Sequence, residues 1–182
     1  MNRLSVRLAL LGVLVVVKAI AWDRIIGLWR AGEGPAPMRM MEVIDAPIER
    51  VWEVVSDIPL QVEWMREMKS VTVSPPGPAR VGTVGTATVR IMGISVSDDV
   101  EVTVVDPPHT YAIRHDGLFQ GGGIITLEAG ADGTTTIVRW SETLIPPFLP
   151  NLFGMVQAPI LQRIFQDDLR RLKALVETGS AD

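Results

Sequence analysis

Between residues 69 and 144 apolar and polar side chains alternate in one segment after another, and this pattern constrains the chain more than any other. Ala87, Val89 and Ile91 alternate with Thr86, Thr88 and Arg90. Val100, Val102 and Val104 alternate with Glu101 and Thr103. Tyr111, Ile113 and His115 share a face. Alternation of this kind marks strands with one face in a core and one in water. The spacing predicts strands over 38–45, 69–74, 85–92, 96–106, 110–116, 123–129 and 134–144. Pro75-Pro76-Gly77-Pro78 and Asp132-Gly133 supply turn chemistry between them. The short connections favour an antiparallel meander. Two short helices are expected before the second strand. One covers 48–56, with Pro47 at its start, and one covers 60–67, with Leu60 and Trp64 facing the same way.

A sheet with a single apolar face has to cover it. The only element long enough to do so is C-terminal. Leu161, Ile164, Phe165, Leu169, Leu172, Leu175 and Val176 recur at helical spacing, Arg163, Gln166, Asp167, Arg170, Arg171 and Lys173 occupy the other faces, and Gly179 ends the run. Residues 148–156 extend this helix upstream, with a kink or restart expected at Pro159. The fold class expected is therefore α+β, an antiparallel sheet wrapped around a long C-terminal helix.

The first thirty residues are of another kind. Arg3 and Arg7 precede an unbroken apolar run over 8–17, Lys18 interrupts it, and residues 19–22 continue it up to Asp23 and Arg24. A membrane-spanning helix needs about 20 mostly apolar residues. Residues 4–22 supply nearly that length if Arg7 and Lys18 snorkel to opposite interfaces. A basic start, an apolar stretch and Ala19-Ile20-Ala21 also fit a cleaved signal peptide, and an amphipathic helix packed on the domain is the third reading. The run over 8–17 has no polar face, which weakens the third. Basic residues flank both ends, so the side of the membrane is open. The expected organisation is a hydrophobic anchor or signal-like helix over 1–30, a Gly/Pro linker over 31–37, and one domain over 38–182.

Composition removes several functions. With 17 basic and 21 acidic residues and a net charge of −4, the chain lacks the footprint of a nucleic-acid-binding domain. It has no cysteine, which excludes a disulfide framework, a thiolate metal site and a cysteine nucleophile. His109, His115 and Asp116 do not form a metal-ligand spacing. Gly93-Ile94-Ser95-Val96-Ser97 lacks the last glycine of a nucleophile elbow. Gly121-Gly122-Gly123 opens a strand rather than a helix, so it reads as a turn or bulge and not as a phosphate cradle. Asp98-Asp99 and Asp167-Asp168 read as solvated faces.

Several short stretches, taken in order, resemble the START-like, or SRPBCC, superfamily, and within it the polyketide cyclase/dehydrase group. They are Ala46-Pro47-Ile48-Glu49-Arg50-Val51-Trp52-Glu53-Val54-Val55-Ser56-Asp57, Glu63-Trp64-Met65, Arg80-Val81-Gly82-Thr83, Val105-Asp106-Pro107-Pro108, Asp132-Gly133-Thr134-Thr135 with Val138-Arg139-Trp140, and Asp168-Leu169-Arg170-Arg171-Leu172-Lys173. The resemblance spans 38–178. It implies the helix-grip fold, with an apolar tunnel between the sheet and the C-terminal helix. Members bind lipids, sterols, quinones, polyketides and plant hormones, some as enzymes and many only as carriers. The N-terminal helix departs from the plain single-domain pattern and raises the expectation of a ligand drawn from a membrane.

Strand parity nominates the cavity wall. Taking the more apolar faces inward places Val89, Ile91, Val102, Ile113, Leu127 and Trp140 inside, and His115 and Glu142 with them. A buried ionisable group needs a partner or a purpose. His115 and Glu142 contact a polar head group, act as acid and base on a carbonyl, or sit at the cavity mouth bonded to solvent and backbone. Ile164 and Phe165 face the sheet from the helix. Trp64, Phe119, Phe148, Phe153 and Met155 fall near the expected entrance, where large side chains either gate a ligand or simply pack. The reading reached is a membrane-associated binding or carrier protein for a lipid, quinone or polyketide-like molecule. It has no catalytic residue assigned, no cofactor, no metal and no nucleic-acid partner. The alternatives are a cyclase/dehydratase acting on a ketide-like substrate, an accessory subunit of a membrane complex with a filled core, and an exported domain if the leader is cleaved.

Overall fold

The computed structural model describes residues 3–30, 35–91 and 93–181. Its element order is α1 (Arg3–Trp29), β1 (Met38–Ile44), α2 (Ile48–Val55), α3 (Gln61–Trp64), β2 (Met68–Ser74), β3 (Val84–Ile91), β4 (Ile94–Asp106), β5 (Thr110–His115), β6 (Gln120–Ala129), β7 (Thr136–Ile145) and α4 (Pro150–Thr178). The seven strands form one antiparallel sheet in the order β1-β7-β6-β5-β4-β3-β2. Consecutive strands pair as hairpins from β2 to β7, and β1 closes on the far side of β7. This is the antiparallel meander expected from the alternation and the helix-grip arrangement that the resemblance implies.

The position of α4 follows from the needs of an edge strand. β1 lies at the border of the sheet, where unpaired backbone groups invite association. Gln166 accepts from the Met41 N–H at 3.3 Å and donates to the Met41 carbonyl at 2.9 Å. Gln162 donates to the Arg39 carbonyl, Lys173 donates to the Val43 carbonyl, and Glu177 accepts the Asp45 N–H. These four side chains run along one stripe of α4 and satisfy the edge. The adjacent apolar stripe then falls on the concave face, where Leu161, Leu169, Leu172 and Val176 are buried with Ile44, Val51, Val55, Val102, Leu127 and Val138.

Three expectations need correction. The second short helix is a single turn, because Met65 leaves the helical region with ψ 96 and the chain swings into β2. Pro159 does not divide the C-terminal helix, which runs unbroken from Pro150 to Thr178. Pro159 is on the exposed side; it forfeits the hydrogen bond to the Met155 carbonyl and its ring crowds that carbonyl, without ending the helix. The glycine run is not a turn, since β6 begins at Gln120 and carries Gly121, Gly122 and Gly123 inside the ladder between β5 and β7.

The helix α1 contains one stretch, Leu4–Trp29, long and apolar enough by length and composition to cross a membrane. Its described apolar side chains are nearly all exposed. It meets the body of the protein at one place. Asp23 Oδ1 accepts the backbone N–H groups of Asn151 and Leu152, both at 2.9 Å, and Asn151 donates to the Asp23 carbonyl at 3.3 Å. The first N–H groups of a helix have no intrahelical acceptor. Leu149, at the cap position of α4, has no side-chain oxygen to offer, so Asp23 caps α4 from another helix.

Candidate functional site

The concave face carries a buried ionic network near the end of the sheet where β7 runs into α4. The His115 Nδ1–H donates to Asp98 Oδ2 at 2.6 Å, and its Nε2–H donates to Glu142 Oε1 at 3.0 Å. The remaining carboxylate oxygens are also satisfied, since Asp98 Oδ1 accepts the Phe119 N–H at 3.3 Å and Glu142 Oε2 accepts the Trp140 Nε1–H at 2.9 Å. The side chains of His115, Asp98 and Glu142 are 12 %, 8 % and 3 % exposed. Both acceptors of the ring are carboxylates, so both ring nitrogens donate only if the imidazole is protonated. Burial opposes that charge, but the hydrogen bonds and charges of Asp98 and Glu142 outweigh it and raise the His115 pKa to about 9. The site at neutral pH is an imidazolium clamped between two carboxylates.

Glycine makes this geometry available. His115 lies on β5 and Glu142 on β7, with β6 between them. The register places Gly121 opposite His115 and Gly123 opposite Glu142. A side chain at Gly123 would push Glu142 away from the ring, and one at Gly121 would run into the Thr143 backbone. A Cβ at Gly123 would overlap Glu142 Oε2, and one at Gly117 would overlap Asp98 Oδ1. The glycines thus form a trough across which His115 and Glu142 meet. Asp98 reaches the same ring from β4, two residues along from Val100, the register partner of His115.

Parity placed His115 and Glu142 inside, and the structure brings them together. Asp98, read as solvated, is the third member. The alternation through 96, 98, 100 and 102 assigns it to the inner face, but the adjacent charges of Asp98 and Asp99, read as one solvated face of the strand, hid that signal. Asp168, read the same way, is also buried. It accepts the Arg66 N–H at 3.0 Å and packs away from the network, between α4 and the α3–β2 connection.

The other nominated residues divide into two groups. Trp140 meets Trp64 edge-on at 6.2 Å between ring centroids and Phe165 at 4.8 Å, and Val102 and Leu127 are buried nearby. Here the interior is packed. Trp64 is fully buried and is not an entrance residue, and its Nε1–H has no partner among the described residues. In contrast, Val89, Val96, Val100, Ile113 and Leu144 point to the concave side yet keep part of their surface exposed, as do Phe119 and Ile164. Phe153 stands half exposed on the first part of α4. The side chain of Ile91 lies outside the described residues. Among the described residues no group of three or more His, Cys, Asp and Glu side chains is arranged to hold a metal ion.

Comparison with known proteins agrees with this architecture. The family model described as polyketide cyclase / dehydrase and lipid transport matches residues 38–177. The protein TTHA0849 of Thermus thermophilus superposes with a TM-score of 0.65 at 22 % identity, over 79 % of this chain and 99 % of that one. DR_A0006 of Deinococcus radiodurans gives 0.59 at 23 %, over 78 % and 96 %. DynU16, a protein of the dynemicin biosynthetic locus, gives 0.57 at 24 %, over 80 % of this chain and 49 % of that one. At these identities the likeness is one of fold. No curated protein matches the chain. The chain belongs to the polyketide cyclase/dehydrase and lipid transport family.

Proposed function

Within that family, we propose that this chain is a membrane-tethered binding or carrier protein for a lipophilic small molecule, which lies on the concave face with its polar end beside His115. The observation carrying the proposal is the contrast inside the molecule. One half of the concave face is packed solid around Trp140, while the half beneath β3, β4 and β5 is apolar, incompletely covered, and bordered by a single ionic network. Apolar walls with a few convergent polar groups are the usual chemistry of a ligand site. The helix α1 supplies the tether.

The same network argues against His115 as a general base. A general base must have a free lone pair near the operating pH. The His115 imidazolium has neither, with both nitrogens engaged and a pKa of about 9. The two carboxylates are themselves occupied by the ring, by Trp140 and by Phe119. A cyclase/dehydratase would have to break this network on binding substrate, and it predicts loss of turnover on a ketide-like substrate in both His115→Ala and Glu142→Gln.

The test is extraction of the full chain into mild detergent, followed by mass spectrometry of the organic extract. The carrier reading expects one apolar class of molecule at near one equivalent per chain. Absence of any such molecule, before and after incubation with lipid and quinone mixtures, would remove it.

A further inference from the structure

From the ionic network toward α4, the exposed surface changes character. Between Glu142 and Arg163 the sequence has no charged residue. Within this stretch Phe148, Phe153, Met155, Val156 and Ile160 are exposed, Phe148 at 75 % and Val156 at 61 %. Strand register places two further loops at the same end of the sheet. They are the β3–β4 turn, with Ile94 exposed, and the β5–β6 loop, with Leu118 exposed. The connections at the opposite end are mostly of different chemistry, although the β2–β3 loop, which holds Pro75-Pro76-Gly77-Pro78, exposes Val81. The β4–β5 turn is Pro107-Pro108-His109, and the β6–β7 turn runs through Gly130, Asp132, Gly133 and Thr134. Soluble domains rarely expose an apolar surface gathered at one end, and such surfaces mark protein or membrane contacts.

The anchor indicates which of the two applies. A hydrocarbon layer about 30 Å thick takes about 20 helical residues. Beginning at Leu4, that length ends close to Asp23. Asp23 is the residue that binds the first N–H groups of α4. Gly27 on α1 leaves room for the Asn151 side chain, and Pro35 packs on Gly154 of α4. The first turn of α4 is therefore fixed at the level where α1 leaves the hydrocarbon. From these constraints we infer that the first part of α4 (150–160), with the Phe148, Leu118 and Ile94 loops, is a membrane-docking surface seated in the interfacial layer of the bilayer, and that the open half of the concave face faces the lipid. The inference rests on the tethered reading above. It adds that the ligand passes between bilayer and His115 without crossing water.

The absence of cysteine allows a direct test in the full chain. Single-cysteine variants Phe153→Cys, Val156→Cys and Leu118→Cys are spin-labelled and reconstituted into phosphatidylcholine vesicles. Leu14→Cys serves as the reference in α1, and Thr134→Cys serves as the reference at the opposite end. Label depth is read from oxygen against aqueous relaxant. Interfacial helices bury their apolar face about 5–10 Å below the headgroup boundary. Labels at 153, 156 and 118 should read such depths while Thr134→Cys remains in water. If Leu14→Cys is embedded and the three labels are in water, the docking surface is refuted and the tether survives. If the three are shielded from aqueous relaxant but not near lipid, a protein partner or second copy covers the face and the inference is refuted. If Leu14→Cys is itself in water, tether and docking surface fall together.

Discussion

Replacing Glu142 by Gln removes one of the two charges that hold His115 protonated, and the consequence follows from the geometry. The His115 pKa stands at about 9 against an ordinary 6.5. At about 1.36 kcal/mol per unit, the protonated ring stabilises the fold by about 3 kcal/mol. The shift is upward, so this contribution is complete below pH 6.5 and disappears as pH rises through 9. In Glu142→Gln the amide oxygen still accepts from Nε2, but the charge is gone, and the amide NH2 now faces the Trp140 Nε1–H. The His115 pKa should fall by about 1–2 units, the range expected from losing one neighbouring opposite charge. The stability lost between pH 6.5 and 9.5 should shrink by about 1–3 kcal/mol. The chain has two histidines, His109 on the β4–β5 turn and His115. Two-dimensional NMR of the imidazole resonances, with His115→Gln for assignment, therefore reads the titration directly, and urea unfolding at several pH values reads the linkage. A parent His115 that titrates near 6.5, or a Glu142→Gln variant with an unchanged His115 pKa, would refute the imidazolium clamp.

Gly123→Ala places a methyl against Glu142 Oε2. It should cost about 1–3 kcal/mol as overpacking, measured by urea unfolding, and lower the His115 pKa as Glu142→Gln does. Burial, opposed by the Arg66 N–H and assisted by Glu67, raises the Asp168 pKa to about 7. A raised carboxyl removes stability as pH rises from 3.8 through 7, so Asp168→Asn should be more stable than the parent by up to about 4 kcal/mol at pH 8, by less than half of that at pH 5, and by little at pH 3. Asp23→Ala removes the cap of α4. It should cost about 1 kcal/mol and speed hydrogen exchange at the Asn151 and Leu152 amides, with the rest of α4 unaffected.

Much of this was legible in the sequence because strand parity is a strong rule. With β1 through β7 paired in antiparallel order, a single decision about which face is apolar put Ile113, His115, Leu127, Trp140 and Glu142 inside. What escaped had one physical origin, the meeting of strands that are distant in sequence. Asp98 looks like a surface acid beside Asp99 until β4 and β5 are in register and His115 lies diagonally across from it. The glycine run looks like a turn until Glu142 is seen lying over it. Asp23 reads as the polar end of an apolar helix until Asn151, 128 residues later, presents two N–H groups that lack an acceptor. The extent of α3 and the continuity of α4 through Pro159 depend on what packs outside each helix, which local propensity does not encode.

The decisive measurement is a titration of the methyl-labelled full chain with a doxyl-labelled stearic acid, observed by NMR. Occupancy of the concave face predicts saturable broadening of the methyls of Val89, Val96, Val100, Ile113 and Leu144 and of the His115 ring, while Val43 on the outer surface and Val81 on the β2–β3 loop stay sharp. Broadening that is equal on both surfaces, or confined to the outer one, would contradict the existence of a ligand site between the sheet and α4.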